Sequence, residues 1–235
     1  MNNSFYSFVS GKYDSITHDG DTANAVYFAK LTSKYNSESV LDLGCGTGEF
    51  LSFLENSFDC YGIDSSKKML GIASKKLKKS LLSAQDLINF SLNKKFDAIT
   101  CFNVIEEILP SQINGFFSTA FNSLNKKGFF LLSLALLPFY GKEEFFWGKD
   151  FGKEAVLWKE TLTDNKIFTE ITKFTKTRKG LFSKKTRVLK RHLYLPLEIR
   201  KFLKKAGFRK IRIYSEHTFR NMNKNDEIVN IVAER

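Results

Sequence analysis

Past residue 37 the chain falls into a rhythm of short apolar runs and longer amphipathic stretches. SVLDLG (39–44) reads as a buried strand and TGEFLSFLENS (47–57) as a helix. FDCYGID (58–64) is a second strand, and SSKKMLGIASKKLKK (65–79) a second helix. SLLSAQD (80–86) is a short third strand and KFDAITCF (95–102) a fourth. PSQINGFFSTAFNSL (110–124) follows as a helix opened by proline and serine, and GFFLLSLAL (128–136) is a fifth strand. Strand and helix in alternation predict an α/β fold, a mostly parallel sheet with helices on both faces.

After Pro138 the rhythm breaks. From Phe145 to Tyr194 apolar and polar residues alternate without helical spacing, which predicts antiparallel strands, with a turn at Asp164-Asn165. PLEIRKFLKKAGF (196–208) resumes the helical pattern, with Pro196 at its start and Gly207 at its end. RKIRIYSEH and EIVNIVAER close the chain as two strands. The expected organisation is one domain with four stretches: a helical N-terminal lid over 1–37, a core over 38–137, a β insertion over 138–195 before the last helix, and a closing helix and hairpin over 196–235.

Composition narrows this in three ways. The longest apolar run, Phe129 to Phe139, is half of what a membrane-spanning helix needs, about 20 residues, and suits a strand buried on both faces. No basic stretch followed by an apolar one opens the chain, and the expectation is a cytoplasmic protein with no membrane contact. The three cysteines, Cys45, Cys60 and Cys101, lie in or beside apolar strands with no close pair, which predicts buried thiols and no metal site. The net charge of +12 makes nucleic acid a candidate partner, and the densest basic stretch is TKTRKGLFSKKTRVLKRH (175–192).

The chemistry gathers at VLDLGCGTGEF (40–50). A dinucleotide fingerprint needs glycines spaced two and then three. Gly44, Gly46 and Gly48 are spaced two and two, and Glu49 stands where the third glycine belongs, which argues against a nicotinamide dehydrogenase. No Gly-Lys-Ser/Thr follows, so the loop is not a phosphate cradle. Asp42 would repel a pyrophosphate and suits a cationic, amino-acid-like end. Asp64 closes the second strand twenty residues after Gly44, where a carboxylate can accept from ribose hydroxyls. A cationic amino-acid end joined to a ribose describes S-adenosylmethionine.

VLDLGCGTGEF, YGIDSS, AQDL, KFDAITCFNVIEEI and GFFLLSL resemble, in order and spacing, the motifs of class I S-adenosylmethionine-dependent methyltransferases. The resemblance is strong over Val40–Leu136, and the closing AGF, IYSEH and IVAER segments fit it. It implies a Rossmann-like seven-stranded sheet with six parallel strands and one antiparallel. It also implies site roles. Asp42, Gly44, Cys45 and Gly46 would line the methionine end of the cofactor. Asp64 would hold the ribose with Ser65 beside it, and Met69 would pack on the adenine. Asp86 and the Leu87 amide would meet the adenine edge, with Ser83 and Ala84 as the alternative register. Phe102 and Asn103 would face the methionine part, and Tyr13 would close over the cofactor.

Methyl transfer needs alignment and exclusion of water more than a dedicated base. Candidate bases are Glu106, Tyr13 and His217, with Glu107 standing where the family commonly has histidine; His18 and His192 are weaker. The aromatic stretch FFWGKDFGKEAVLWKE (145–160), with Trp147 and Trp158, would wall a substrate pocket. The implied activity is methylation of an oxygen or nitrogen of a small molecule. Two rivals are an RNA methyltransferase, supported by the basic hairpin, and a non-catalytic module that binds the cofactor. FNVIEEI lacks the Asn/Asp-Pro-Pro-aromatic signature of enzymes that methylate the amino groups of nucleic-acid bases.

Overall fold

The structure is a computed structural model that describes residues 3–16, 20–137 and 145–235. In chain order the elements open with α1 (Asn3–Val9), a 3-10 turn at Ser10–Lys12, α2 (Tyr13–Ile16) and α3 (Gly20–Tyr35). Next come β1 (Ser39–Leu43), α4 (Glu49–Ser52), β2 (Asp59–Asp64), α5 (Lys67–Lys76), β3 (Leu81–Ala84) and β4 (Phe96–Cys101). After a 3-10 turn at Ile105–Glu107 follow α6 (Ile113–Ser123) and β5 (Leu124–Ala135). The insertion supplies β6 (Phe145–Asp150), β7 (Glu154–Thr163), β8 (Lys166–Lys176) and β9 (Phe182–His192). α7 (Pro196–Ala206), β10 (Arg209–Ser215) and β11 (Ile228–Glu234) complete the fold.

Seven strands form one sheet in the order β10-β11-β5-β4-β1-β2-β3. β11 runs antiparallel to both neighbours, and the other pairings are parallel. The predicted sheet, with its one reversed strand, is the sheet observed. Successive residues of its central strands enter two different cores. Leu41, Ile99, Phe130 and Leu132 pack under α6 and α7, while Val40, Ala98, Phe129 and Leu131 pack under α3 and α5. Each fully buried Phe or Leu contributes about 1.5–3 kcal/mol.

The insertion is a separate four-stranded antiparallel sheet in the order β6-β7-β8-β9. Its central hairpin turns at Asp164-Asn165, with φ of 50° and 58°, the left-handed pair that a two-residue type I′ turn requires. Phe5 and Val9 of α1 pack against Val156, Ile171 and Leu189, so the first helix covers the sheet's inner face.

Three local expectations differ from the outcome. The helix foreseen over 47–57 is one turn, α4; beyond it Phe53, Leu54 and Ser57 donate to carbonyls three residues back, a tighter winding that seats Phe50, Leu51 and Leu54 in the core. The helix foreseen from Pro110 starts at Ile113 without a side-chain cap. In the helical stretch foreseen over 1–37, the described residues 3–16 wind as two short helices with a 3-10 turn between them. No helix among the described residues is long and apolar enough to cross a membrane.

Candidate active site

The parallel strands end together on one side of the sheet, and the chain leaves β1 there through the glycine loop. Gly44 has φ of 83°, and a Cβ on it would sit 2.4 Å from Val104 Cγ2, so no other residue fits. The turn brings the Gly46 amide to Asp64 at the end of β2. Gly46 N donates to Asp64 Oδ2 at 3.0 Å and Ser66 N to Asp64 Oδ1 at 2.7 Å. Both carboxylate oxygens are thereby aimed. Next to it, Asp42 is 4% exposed and accepts from Thr100 Oγ1 at 2.7 Å. Burial pushes the Asp42 carboxyl up to about 7 against the Thr100 hydrogen bond, with Asp21 and Asp64 adding repulsion. Burial likewise raises Asp64, opposed by the backbone amides around it.

This loop opens into a cavity of about 520 Å3. Asp21, Asp42, Glu49, Asp64, Glu106, Glu107 and Glu160 line it. Arg191 is the basic residue among the described lining. A protein of net charge +12 therefore surrounds a strongly acidic chamber.

Two of these carboxylates are carried by the 3-10 turn after β4. Glu106 is 3% exposed, and its Oε1 accepts from Ala135 N at 3.2 Å. Glu107 Oε1 accepts from the Tyr6 hydroxyl of α1. The second oxygen of each carboxylate has no hydrogen-bond partner among the described residues. Burial raises both groups; Glu107 reaches about 7, eased by Tyr6 and Arg191 and aggravated by Asp64 and Glu106.

The roof comes from both the N-terminus and the insertion. Tyr6 and Tyr13 meet edge to face at 6.0 Å, and Phe5 meets Trp158 at 6.2 Å. Asp14 of α2 accepts from the Thr47 hydroxyl in the glycine loop and pairs with Lys76 at 3.0 Å. In the insertion Arg191 pairs with Glu160 and donates to Thr169 Oγ1 at 2.7 Å, while Trp158 Nε1 donates to Glu160 at 3.1 Å.

Most residues singled out in the sequence meet at this cavity: Tyr13, Asp42, Gly44, Cys45 and Gly46, then Asp64, Ser65 and Met69, then Phe102, Asn103 and Glu106. Trp147 and Trp158 join them. Other described positions stand apart. Asp86 is exposed and spends its Oδ1 on Ile88 N at 2.9 Å, capping the turn after β3. Leu87 is fully buried in the core under α6. In the alternative register, Ala84 is exposed and Ser83 Oγ accepts from Gln85 Nε2 at 2.9 Å. His217 lies beyond the end of β10, where its Nε2 pairs with Asn24 Oδ1 at 3.0 Å beside Tyr27; it ties α3 to the sheet and does not line the cavity. His192 sits at the end of β9, held below its ordinary pKa by burial and by Lys190 and Lys166. His18 lies outside the described residues. The basic residues Lys184, Lys185, Arg187 and Lys190 are exposed along the edge strand β9.

Sequence reasoning missed Tyr6, Asp14, Asp21 and the Glu160–Arg191 pair. Glu160 and Arg191 come from strands flanking β8 and share a face only in the observed register, Glu160↔Thr169 and Ile167↔Arg191.

Residues 23–225 match a family model described as a methyltransferase domain. The chain belongs to that family. A structure of an S-adenosylmethionine-dependent methyltransferase from Clostridium acetobutylicum superposes with a TM-score of 0.80 over 98% of each chain at 20% identity, which shows the shared fold. Among curated relatives, a dTDP-3-amino-3,6-dideoxy-alpha-D-glucopyranose N,N-dimethyltransferase of Streptomyces fradiae is 41% identical over 27% of this chain and 25% of its own length. A carboxy-S-adenosyl-L-methionine synthase of Campylobacter jejuni is 33% identical over 42% of this chain and 45% of its own. The matches thus span about a quarter to under half of these relatives' lengths. Glu49, which displaces the third dinucleotide glycine, pairs here with Lys76.

Proposed function

We propose that the chain transfers a methyl group from S-adenosylmethionine to an oxygen or nitrogen of a small molecule. One observation carries the reading: a glycine loop flanked by buried Asp42 and half-buried Asp64, each held by hydrogen bonds, opens into an acidic cavity. Those groups fit a donor with a cationic end and a ribose. Asp64 would hold the ribose, with Ser65 beside it. Met69 would pack on the adenine, and exposed Asp86 and the Leu87 amide would bound its edge. Asp42, Gly44, Cys45 and Gly46 would surround the methionine end with Phe102 and Asn103, and Tyr13 would close over it. The donor supplies an activated sulfonium methyl. The chain's part is orientation and exclusion of water, and the roof of Phe5, Tyr6, Tyr13 and Trp158 serves the second task.

The same reading divides the chain as its sequence suggests, with 1–37 and 138–195 closing the cavity over the 38–137 core. It places the protein in the cytosol, where buried Cys45, Cys60 and Cys101 stay reduced. The acidic cavity disfavours a polyphosphate acceptor such as RNA in spite of the basic exterior.

Titration calorimetry tests it. S-adenosylmethionine or its demethylated product should bind, and Asp64→Ala should weaken binding at least tenfold, as loss of charge-assisted hydrogen bonds does. Binding of a nicotinamide cofactor in place of the sulfonium donor would sink the reading.

A further inference from the structure

The geometry points to the Glu106–Glu107 pair as the recognition site for the acceptor, and to a small amine with an apolar or aromatic body as that acceptor. The inference rests on the donor reading above and takes it further, from "oxygen or nitrogen" to a cationic nitrogen.

Three observations carry it. The first is the orphaned oxygen on each carboxylate. Glu106 is 3% exposed, yet its Oε2 has no partner, and Glu107 Oε2 has none either, among the described residues. Two adjacent carboxylates, each with a buried oxygen whose acceptor capacity is unmet, repel each other and ask for a donor carrying positive charge. An ammonium offers three N–H donors and the charge; a hydroxyl offers one donor and none. The second is the balance of the lining. The described basic group, Arg191, is already engaged with Glu160 and Thr169, so the carboxylates outweigh it and an anionic acceptor is repelled. The third is the wall beside the pair. Phe5, Tyr6, Trp147, Trp158 and Leu189 line the cavity and suit an apolar body, and the aromatic faces favour a nearby cation.

The placement also handles the proton. An alkylammonium ionises near pH ~10.4, and it must lose one proton before its nitrogen can attack. That proton passes to Glu107, whose raised pKa makes it a better base than an ordinary carboxylate. The freed lone pair forms the C–N bond as the C–S bond of the donor breaks. The electron pair stays on sulfur, and the methylated nitrogen carries the positive charge. Glu106 holds the remaining N–H groups. A carboxylate is too weak to serve an aliphatic alcohol in the same way.

The test is calorimetry on protein saturated with S-adenosylhomocysteine, using 2-phenylethylamine and tryptamine as probes and 2-phenylethanol and 3-phenylpropionate as controls. The amines should bind at least tenfold tighter than the alcohol, with no binding of the carboxylate. Glu106→Gln and Glu107→Gln should each weaken the amines about tenfold and leave the alcohol unchanged, while S-adenosylhomocysteine still binds and so reports a folded site. Equal binding of amine and alcohol overturns the proposal. So does loss of neither amine in the two variants, or failure of both amines on wild-type protein saturated with S-adenosylhomocysteine. Failure of S-adenosylhomocysteine itself overturns the donor reading first.

Discussion

Replacing Asp42 with Asn should stabilise the ligand-free protein at alkaline pH and weaken its hold on the donor. Burial lifts the Asp42 carboxyl from 3.8 to about 7, a difference of about 3 units. At 1.36 kcal/mol per unit this is up to about 4 kcal/mol of strain in the ionised folded state, and about 2–4 kcal/mol allows for relaxation. The sign follows from linkage. A carboxyl whose folded pKa is raised costs nothing below its unfolded pKa, near 4, and the cost grows until the folded group ionises near 7. Asn keeps the size and still accepts from Thr100 Oγ1. The variant should therefore melt at least about 4 °C above wild type at pH 8, at about 2–4 °C per kcal/mol for a chain of this length, and within a degree or two of it at pH 3.8, where the unfolded carboxyl is half protonated. Scanning calorimetry at the two pH values reads this directly, and a titration of the donor in parallel should show its affinity reduced. A variant less stable than wild type at pH 8, or one stabilised equally at both, would refute the electrostatic account of this site.

Other outcomes follow from single contacts. Glu160→Ala takes a carboxylate from half-buried Arg191, 14% exposed, which keeps its bond to Thr169, and should cost about 1–3 kcal/mol in urea denaturation. Gly44→Ala forces a Cβ to 2.4 Å from Val104 Cγ2 at a φ of 83°, and should cost at least about 2 kcal/mol along with donor binding. Asn165→Gly relieves a left-handed residue in the Asp164-Asn165 turn and should change stability by less than about 1 kcal/mol, towards gain, measured by thermal melting. His217→Gln keeps a partner for Asn24 and should leave donor affinity within twofold, since the ring lies away from the cavity.

The parts of the site that could be read from the sequence are those built within one strand–loop–helix unit. Asp42, the glycines and Asp64 come from two neighbouring parallel strands whose ends are aligned by the sheet itself, so their spacing carries their geometry. The Asp164-Asn165 hairpin was legible for the same reason: a two-residue left-handed turn needs those residue types. Asp86 and Leu87 were harder to place because β3 is a four-residue edge strand with little burial to set its register. His217 looked like a strand-end catalyst, but its partner Asn24 is 193 residues away and leaves no trace in local pattern. Tyr6 and Glu107 are 101 residues apart and meet only because α1 folds over the insertion sheet. Such contacts belong to the packing of elements, and a periodicity cannot announce them.

The mismatch between a basic exterior and an acidic interior has a kinetic consequence. A cationic molecule is pushed away at distances beyond the mouth and pulled in once past it. Adding salt shortens the reach of the repulsion, with a screening length of about 10 Å at 0.1 M, but acts weakly on buried groups. Association of a cationic ligand should therefore accelerate with ionic strength, opposite to the usual behaviour of an oppositely charged pair, while dissociation changes little. The shell of lysines works as a filter that lets neutral visitors pass, admits cationic ones slowly and keeps anions outside, bound to the surface.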